Sequence, residues 1–257
     1  MSVPLFSIIT VSYNSEKTIA RTIESVLHQT YKDYEYIIID GASTDSTVDI
    51  IKSYIDKFDG KLSFVSEKDN GIYDAMNKGI SKTNGQLIGI INSDDWYEEN
   101  TLEILEECYS NNHCRDGVYY GILMNYIDGL PYRATGYHHN YLHEAIISHP
   151  STFISRSIYL AFGLFRNEYR LAADYELMFR LLKNHVCFHF IPKILSNFSL
   201  GGSTDKHKLL SELETFKIKR EYAYLNTRQY YKATISLRIQ YLFISKFKKI
   251  FKYLFRV

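Results

Sequence analysis

The sequence lacks long apolar runs, and this absence excludes one class of protein. No stretch of the 257 residues reaches the roughly 18 consecutive apolar positions that a membrane-spanning helix needs. A strand-like run, Leu5–Val11, starts almost at once, with no basic segment followed by an apolar segment before it. We therefore expect no signal peptide, and a protein that is soluble or peripheral to a membrane.

The sequence is also poor in cysteine. Cys108, Cys114 and Cys187 show neither CxxC nor any other paired spacing, so the sequence predicts neither a disulfide framework nor a zinc site. This usage is typical of a reducing compartment, and we expect a cytoplasmic location.

Acidic residues are missing from the last part of the chain. The formal net charge is only +1, from 30 basic and 29 acidic residues, yet no Asp or Glu occurs between Tyr222 and Val257. The basic residues of that stretch are Arg228, Lys232, Arg238, Lys246, Lys248, Lys249, Lys252 and Arg256. Such a segment favours an anionic surface or remains solvated. Nucleic acid is a poor candidate partner, because the chain as a whole is nearly neutral.

The first half alternates short apolar runs with helical patterns. The predicted strands are Phe6–Val11, Tyr34–Asp40, Leu62–Ser66 and Gln86–Asn92. Apolar residues recur at helical spacing between the strands, for example at Ile19, Ile23 and Val26. This alternation predicts an α/β fold, with a mostly parallel central sheet flanked by helices.

The second half is less regular. We predict strands at Gly117–Ile127 and Thr152–Ser155 and a helix near Tyr175–Lys183, as parts of a mixed sheet. The expected domains are a catalytic domain over 1–203, divided into a nucleotide-binding half (1–112) and an acceptor-side half (113–203), and a helical extension over 204–257. With 46% hydrophobic residues, the chain can bury one full core.

Polar loops follow the first strands. These loops are Ser12–Ser15, Gly41–Ser46, Glu67–Gly71 and Ser93–Trp96. Ligands of open α/β sheets bind at the carboxyl ends of the strands, so we expect the loops to share one cleft.

Two of these loops carry carboxylates in positions that suit a ligand. Asp94 and Asp95 are adjacent carboxylates that a Mg²⁺ or Mn²⁺ ion would neutralise, although a solvated turn or the capping region of the next helix is the alternative. Asp40 can accept a hydrogen bond from a base or ribose, or its loop can simply cap a helix. Tyr13 can stack on a base or pack against the protein.

Three segments together resemble a known family. Thr10–Asn14, Asp40–Ser46 and Asn92–Asp95 resemble, in order and spacing, the N-terminal motifs of family 2 glycosyltransferases with the GT-A fold. The run Ser66–Ile80 is similar to the branch that builds bacterial exopolysaccharides and O-antigens, including colanic-acid-type enzymes. The resemblance covers roughly Phe6–Asn184.

The resemblance implies roles for individual residues. Tyr13 would stack on the base and Asp40 would hold its polar edge, while Asp69, Asn77 and Lys78 would lie near the ribose and diphosphate. Asp95 would bind the metal directly and Asp94 would approach the ribose or the metal. The chain departs from the family at Ser93, where the motif is often written Asp-x-Asp, and at Val11, where other members place a hydroxyl.

The second half supplies the implied catalytic group. An inverting transfer needs a carboxylate that takes the proton from the acceptor hydroxyl, and Asp174 matches the position of this base. The alternative for Asp174 is an ordinary helix N-cap. His149 and Glu176 are further candidates on the acceptor side. Gly201–Thr204 resembles a loop that closes over the donor, and His207 beyond it is a candidate metal ligand.

The end of the chain has the pattern of an amphipathic helix. Its apolar face comprises Ile239, Leu242, Phe243, Phe247, Ile250, Phe251 and Leu254, with basic residues on the other side. We expect residues 238–256 to lie on an anionic membrane. The alternatives are packing on the chain's own domain or on a partner subunit, as in a homo-oligomer.

Together these features predict an inverting, metal-dependent glycosyltransferase on the inner face of the cell membrane. The expected donor is a nucleotide sugar, with a UDP-sugar favoured, and the expected acceptor is a polyprenyl-diphosphate-linked glycan. The alternatives are a non-catalytic nucleotide-sugar-binding subunit and a sugar-phosphate nucleotidylyltransferase. The latter needs a Gly-rich basic loop after the first strand, which Ser12–Ser15 does not provide.

Overall fold

The computed structural model describes residues 3–201 and 207–255, with side chains of the last helix described as far as Phe243. These residues form two compact units, 3–201 and 207–255. The strands are β1 (Phe6–Ser12), β2 (Tyr34–Asp40), β3 (Leu62–Ser66), β4 (Leu87–Asn92), β5 (Trp96–Tyr97), β6 (Gly117–Ile127), β7 (Leu130–Thr135), β8 (Thr152–Ser155) and β9 (Cys187–Ser199). The helices of the first unit are α1 (Ile19–Leu27), α2 (Thr47–Tyr54), α3 (Ile72–Ile80), α4 (Thr101–Asn111), α5 (Arg156–Phe162) and α6 (Ala173–Lys183).

The strands form one mixed sheet. Its order is β3-β2-β1-β4-β8-β6-β9-β5, with β7 paired to β6. The pairs β3–β2, β2–β1 and β1–β4 are parallel, and antiparallel pairing begins where β8 joins β4. The predicted α/β fold is confirmed, and the second half adds one parallel pair, β6–β9, among antiparallel ones.

Helices cover both faces of the parallel strands. Ile8 and Ile38 belong to a buried cluster that includes residues of α1, α2 and α4. Ile9 and Ile39 alternate with them along the strands and lie on the opposite face, against α3. A Cβ atom on Gly79 of α3 would lie 2.6 Å from the Ile9 side chain, so glycine is what lets this helix approach the sheet so closely.

The sequence-based conclusion on the cysteines is wrong. Cys114 and Cys187 form a disulfide, with their Cα atoms 6.7 Å apart, and Cys108 is free. They meet because β6 and β9 pair in parallel from their first residues, with Gly117 opposite Cys187. Spacing along the chain cannot reveal a pair formed by strand register, and the cysteine-based argument for a reducing compartment therefore does not hold.

The second unit contains two helices among its described residues, α7 (Lys208–Glu221) and α8 (Thr227–Phe255). Asn226 and Gln229 begin α8 with reciprocal hydrogen bonds between side chain and backbone N–H, each 2.9 Å long. Within the part of the chain that the structure describes, no helix is long and apolar enough to cross a membrane. The Gly202–Thr204 part of the anticipated closing loop, and Arg256, lie outside the described residues.

Candidate active site

The polar loops after β1, β2, β3 and β4 meet at one edge of the sheet, as predicted. Hydrogen bonds connect them: Asn14 N–H donates to Ser43 Oγ (2.8 Å), and Ser15 Oγ lies 2.7 Å from Ser93 Oγ. The third loop joins through Glu67 N–H, which donates to the Asp40 carbonyl (2.9 Å). The cleft edge is therefore one connected structure.

Tyr13, Gly41 and Asp69 converge within this edge. The Tyr13 ring is 64% exposed, so it is available to a ligand. A Cβ atom on Gly41 would lie 2.5 Å from Asp69 Oδ2 and 3.4 Å from the Tyr13 ring. The glycine thus brings an exposed aromatic face and a carboxylate together over bare backbone, an arrangement that suits a nucleoside.

Asp40 is completely buried, and the protein uses its whole carboxylate. Oδ1 accepts hydrogen bonds from Ser12 Oγ (3.1 Å) and Ser43 Oγ (2.5 Å). Oδ2 accepts from Ser43 N–H (2.9 Å) and Ser66 Oγ (2.7 Å). Asp40 therefore holds the loops after β1, β2 and β3 in place, and its contact with a base stays a prediction. The N-cap of α2 is Ser46, which makes no side-chain capping bond; Asp45 before it accepts a hydrogen bond at Oδ1 from Thr47 N–H (3.0 Å).

Asn77 and Lys78 of α3 also have protein partners. Asn77 Nδ2 donates a hydrogen bond to the Phe165 carbonyl (2.9 Å), and Phe165 N–H donates one to Asn77 Oδ1 (3.0 Å). Lys78 Nζ lies 3.0 Å from Glu67 and 3.6 Å from Asp74, and its pKa is raised above the usual value by its hydrogen bond with Glu67. Both side chains fix α3, and their contact with a diphosphate stays a prediction.

Helix α1 and the end of β9 hold the turn that carries Asp94 and Asp95. Thr22 Oγ1 donates to the Asp95 carbonyl (2.6 Å), and the Arg21 guanidinium donates to the Asp94 carbonyl (2.7 Å). Arg21 also lies over the Trp96 ring, 3.7 Å from its centroid. Ser199 N–H, from β9, donates to Asp95 Oδ1 (3.1 Å). Since α4 begins only at Thr101, the alternative that these carboxylates cap it is wrong.

The negative charges of Asp94 and Asp95 are only partly offset by nearby positive charge. Burial raises the pKa of Asp95 well above its usual value, and the negative charge of Asp94 raises it further. Burial also raises the pKa of the half-buried Asp94. Arg21 lies close to both carboxylates, and its partial desolvation lowers the pKa of its guanidinium. A cation at this turn would relieve the electrostatic cost.

The donor set of the turn fits a hard cation. Asn92 Oδ1 is buried with no hydrogen-bond partner among the described residues, and it stands beside Asp95 in the same turn. Carboxylate and amide oxygens are ligands that Mg²⁺ and Mn²⁺ accept, with a phosphate completing the shell. Within the described ranges no group of three or more acidic, His or Cys side chains forms a complete metal site. His207 is exposed, immediately before α7 in the second unit.

Asp174 lies in the first turn of α6. Its helix begins at Ala173 after the N-cap Ala172, so Asp174 lies inside the helix and the N-cap alternative is wrong. Instead Tyr73 Oη donates to Asp174 Oδ1 (2.8 Å) across 101 residues. Tyr73 belongs to α3, which follows the loop that carries Asp69. The bond therefore ties the carboxylate of the second half to the cleft edge of the first.

His149 and Glu176 have contrasting surroundings. His149 Nε2 is buried without a hydrogen-bond partner among the described residues, and its ring lines the same small cavity as Asp174. Glu176 is completely buried and pairs with Arg180 (2.9 Å) and Arg166 (3.3 Å). A carboxylate enclosed in this way is a structural anchor, so the expectation that Glu176 lies on the acceptor side is not supported.

Sequence reasoning missed several residues that shape the site: Arg21, Thr22, Tyr73 and Ser199. A signal existed for two of them. Tyr73 stands inside the distinctive run Ser66–Ile80, and Thr22 is a polar residue beside the apolar positions of α1. Nothing in the sequence marks Ser199, which reaches Asp95 only through strand order.

Comparisons with known proteins identify the family of this chain. The model of glycosyl transferase family 2 matches residues 7–170. A "PGL/p-HBAD biosynthesis glycosyltransferase" of Mycobacterium bovis (strain BCG / Pasteur 1173P2) is 29% identical over 192 residues, which are 72% of each chain.

Solved structures share the fold. S. aureus TarS 1-349 in complex with UDP-GlcNAc has a TM-score of 0.68 at 18% identity, covering 90% of this chain and 71% of TarS 1-349. In the TarS complex with UDP the matched part is 63% of that chain, less than two thirds. The mannosyltransferase PcManGT from Pyrobaculum calidifontis, in complex with GDP-Man and Mn²⁺, has a TM-score of 0.67 at 15% identity, with coverages of 93% and 70%. The fold is thus that of GT-A glycosyltransferases.

Proposed function

Because this chain belongs to glycosyl transferase family 2 and is therefore a transferase, we propose that it moves a sugar from a nucleotide diphosphate to an acceptor hydroxyl with inversion. A UDP-sugar is the favoured donor. Two facts support this choice: TarS has been solved with UDP and UDP-GlcNAc, and the Tyr13–Asp69 pair flanks a bare backbone suited to a pyrimidine nucleoside.

The observation that carries the mechanism is the hydrogen bond from Tyr73 to Asp174. This bond fixes the Asp174 carboxylate, which belongs to the second half of the chain, beside the edge where the polar loops of the first half meet. The acceptor oxygen forms a bond to the anomeric carbon as the bond between that carbon and the diphosphate oxygen breaks. The hydroxyl proton goes to Asp174. A single displacement inverts the configuration and needs no covalent sugar intermediate.

Asp95, with Asp94 beside it, would hold the divalent ion, for which Mn²⁺ and Mg²⁺ are the candidates. When bound, the ion supplies positive charge against the departing diphosphate. The support is the charge deficit of the turn and the buried, unpartnered Asn92 oxygen. Arg21 and Thr22 hold the turn in place by donating hydrogen bonds to the carbonyls of Asp94 and Asp95.

The donor is tested by a panel of nucleotide sugars with Mn²⁺. We expect UDP-sugars to raise the unfolding temperature most, because a ligand that binds only the folded state stabilises it. The same panel is incubated with an acceptor extract, and released nucleoside diphosphate and the anomeric configuration of the product are measured. Retention of configuration would contradict the single displacement, and stabilisation only by GDP-sugars would contradict the choice of UDP.

We place the acceptor at a membrane, as a polyprenyl-diphosphate-linked glycan at the inner face. Support comes from α8, where Ile239, Leu242 and Phe243 are 48%, 62% and 70% exposed. Thr234 and Leu237, on the opposite side of the helix, are buried. An exposed apolar stripe on a helix with basic but no acidic residues suits an anionic lipid surface.

Truncation before Arg238 is expected to release the protein from anionic vesicles. Phe243→Glu is also expected to lower partitioning onto these vesicles at least tenfold, because the change places a charge in the apolar stripe. Gln240→Glu adds the same charge at an exposed polar position and is the matched control. Sedimentation with vesicles of phosphatidylglycerol and with neutral vesicles measures the effect. Undiminished sedimentation of the truncated protein would contradict the membrane role.

A further inference from the structure

A small cavity lies directly against Asp174. Its volume is about 20 Å³, enough for roughly one water molecule. Most of its wall is apolar, and the side chains on it that carry polar atoms are His149, Thr152, Tyr159 and Asp174. The Thr152 hydroxyl already donates to the Ser148 carbonyl (2.8 Å). Of the other three, His149 and Asp174 carry the proton-accepting groups, a ring nitrogen and a carboxylate.

His149 makes the cavity unusual. Its Nε2 is buried and has no hydrogen-bond partner among the described residues. Leaving a buried polar atom unpaired destabilises the folded state, and such atoms in native proteins are generally paired with water or used in function. Asp174 Oδ1 accepts the hydrogen bond from Tyr73 (2.8 Å), and the second carboxylate oxygen, Oδ2, can accept one from a water molecule.

We propose that His149 is a positioning residue for Asp174, and that a water molecule in the cavity joins Nε2 to the Asp174 carboxylate. This inference rests on the proposed role of Asp174 as base. Asp174 takes the proton as the acceptor O–H bond breaks. It passes a proton to the water, and the water gives one of its own to Nε2, which leaves Asp174 ionised again. Solvent recovers the proton after the product leaves.

The charges around His149 support this role. Burial lowers the pKa of His149 below its ordinary value of 6.5, and the negative charge of Asp174 partly offsets that change. The other titratable group on the cavity wall is Tyr159, whose pKa burial raises, so it stays neutral. At neutral pH the imidazole is therefore uncharged and able to accept a proton, and the nearby carboxylate stabilises the imidazolium that forms.

The test compares His149→Gln and His149→Asn with Met178→Leu, which changes the same wall without changing its polarity or much of its volume. We expect kcat to fall about tenfold to a hundredfold in the His149 variants, with the KM for the donor unchanged. In the wild type we expect kcat to fall as the pH is lowered below 6.5, because His149 then becomes protonated. This fall should be absent from the His149 variants. Met178→Leu should have the wild-type kcat and the same fall at low pH.

Chemical rescue separates proton transfer from packing. Added imidazole should restore kcat to His149→Ala, whereas pyrazole, a much weaker base of the same size, should not. Equal rescue by both, or an unchanged kcat and pH profile in His149→Gln, would overturn the proposal. If Asp174→Asn retains normal turnover, the proposed base itself is wrong, and that outcome is distinct because it does not involve His149.

Discussion

Asp174→Asn is expected to lower kcat by about two to four orders of magnitude, while nucleoside diphosphate binding survives. Asparagine has nearly the same shape, and its amide oxygen can still accept the hydrogen bond from Tyr73. It cannot take a proton from the acceptor hydroxyl. Single-turnover kinetics with saturating donor and calorimetric titration with UDP measure the two quantities separately.

Asp116→Asn is the matched control for this substitution. Asp116 is an exposed carboxylate of the same half, where it accepts a hydrogen bond from Ser157 (2.7 Å). We expect its turnover to stay within a factor of two of the wild type, since surface substitutions have small effects. Normal turnover in Asp174→Asn would remove Asp174 from the mechanism.

Asp95→Ala and Asp95→Asn are expected to abolish the dependence of transfer on Mn²⁺ or Mg²⁺ and to reduce transfer itself at least a hundredfold. The metal-free Asp95→Asn protein should nevertheless be more stable at pH 7 than the wild type, by on the order of 1 kcal/mol. The physical reason is that the substitution removes a buried negative charge while keeping an acceptor for Ser199 N–H.

The sign of the pH dependence follows from the raised pKa of Asp95 in the folded protein. The folded state binds this proton more tightly than the unfolded chain, so the metal-free protein loses stability as the pH rises from the ordinary carboxyl range through the raised pKa. Thermal unfolding with EDTA between pH 5 and 8 should show a steeper loss in the wild type than in Asp95→Asn. Parallel curves would contradict the buried charge.

The sequence predicted where the polar loops of the first half lie, for a physical reason. Parallel strands carry their signals locally: the apolar run Tyr34–Asp40 ends at a polar loop, and sheet geometry then fixes where that loop lies. The predicted strands Tyr34–Asp40 and Leu62–Ser66 have the same bounds in the structure.

Contacts between distant segments could not be predicted in the same way. The bond between Tyr73 and Asp174 and the bond between Ser199 and Asp95 span about one hundred residues each, and both form only because the fold brings elements far apart in the chain together. The burial of Glu176 has a more local origin, because its partners Arg180 and Arg166 lie four and ten residues away in the chain. Local pattern identifies which residues carry chemistry, whereas strand order decides which of them meet.

The bond between Cys114 and Cys187 divides the chain by covalent topology. It closes a ring across a sequence separation of 73. Asp174 and His149 lie inside this ring, whereas Tyr13 and Asp95 lie outside it. In the chain-entropy model, closing a ring of this size removes about 4 kcal/mol of conformational freedom from the unfolded polypeptide. The oxidised chain therefore unfolds with the segment from Cys114 to Cys187 still tethered end to end, and the first half of the chain is the part that no covalent link constrains.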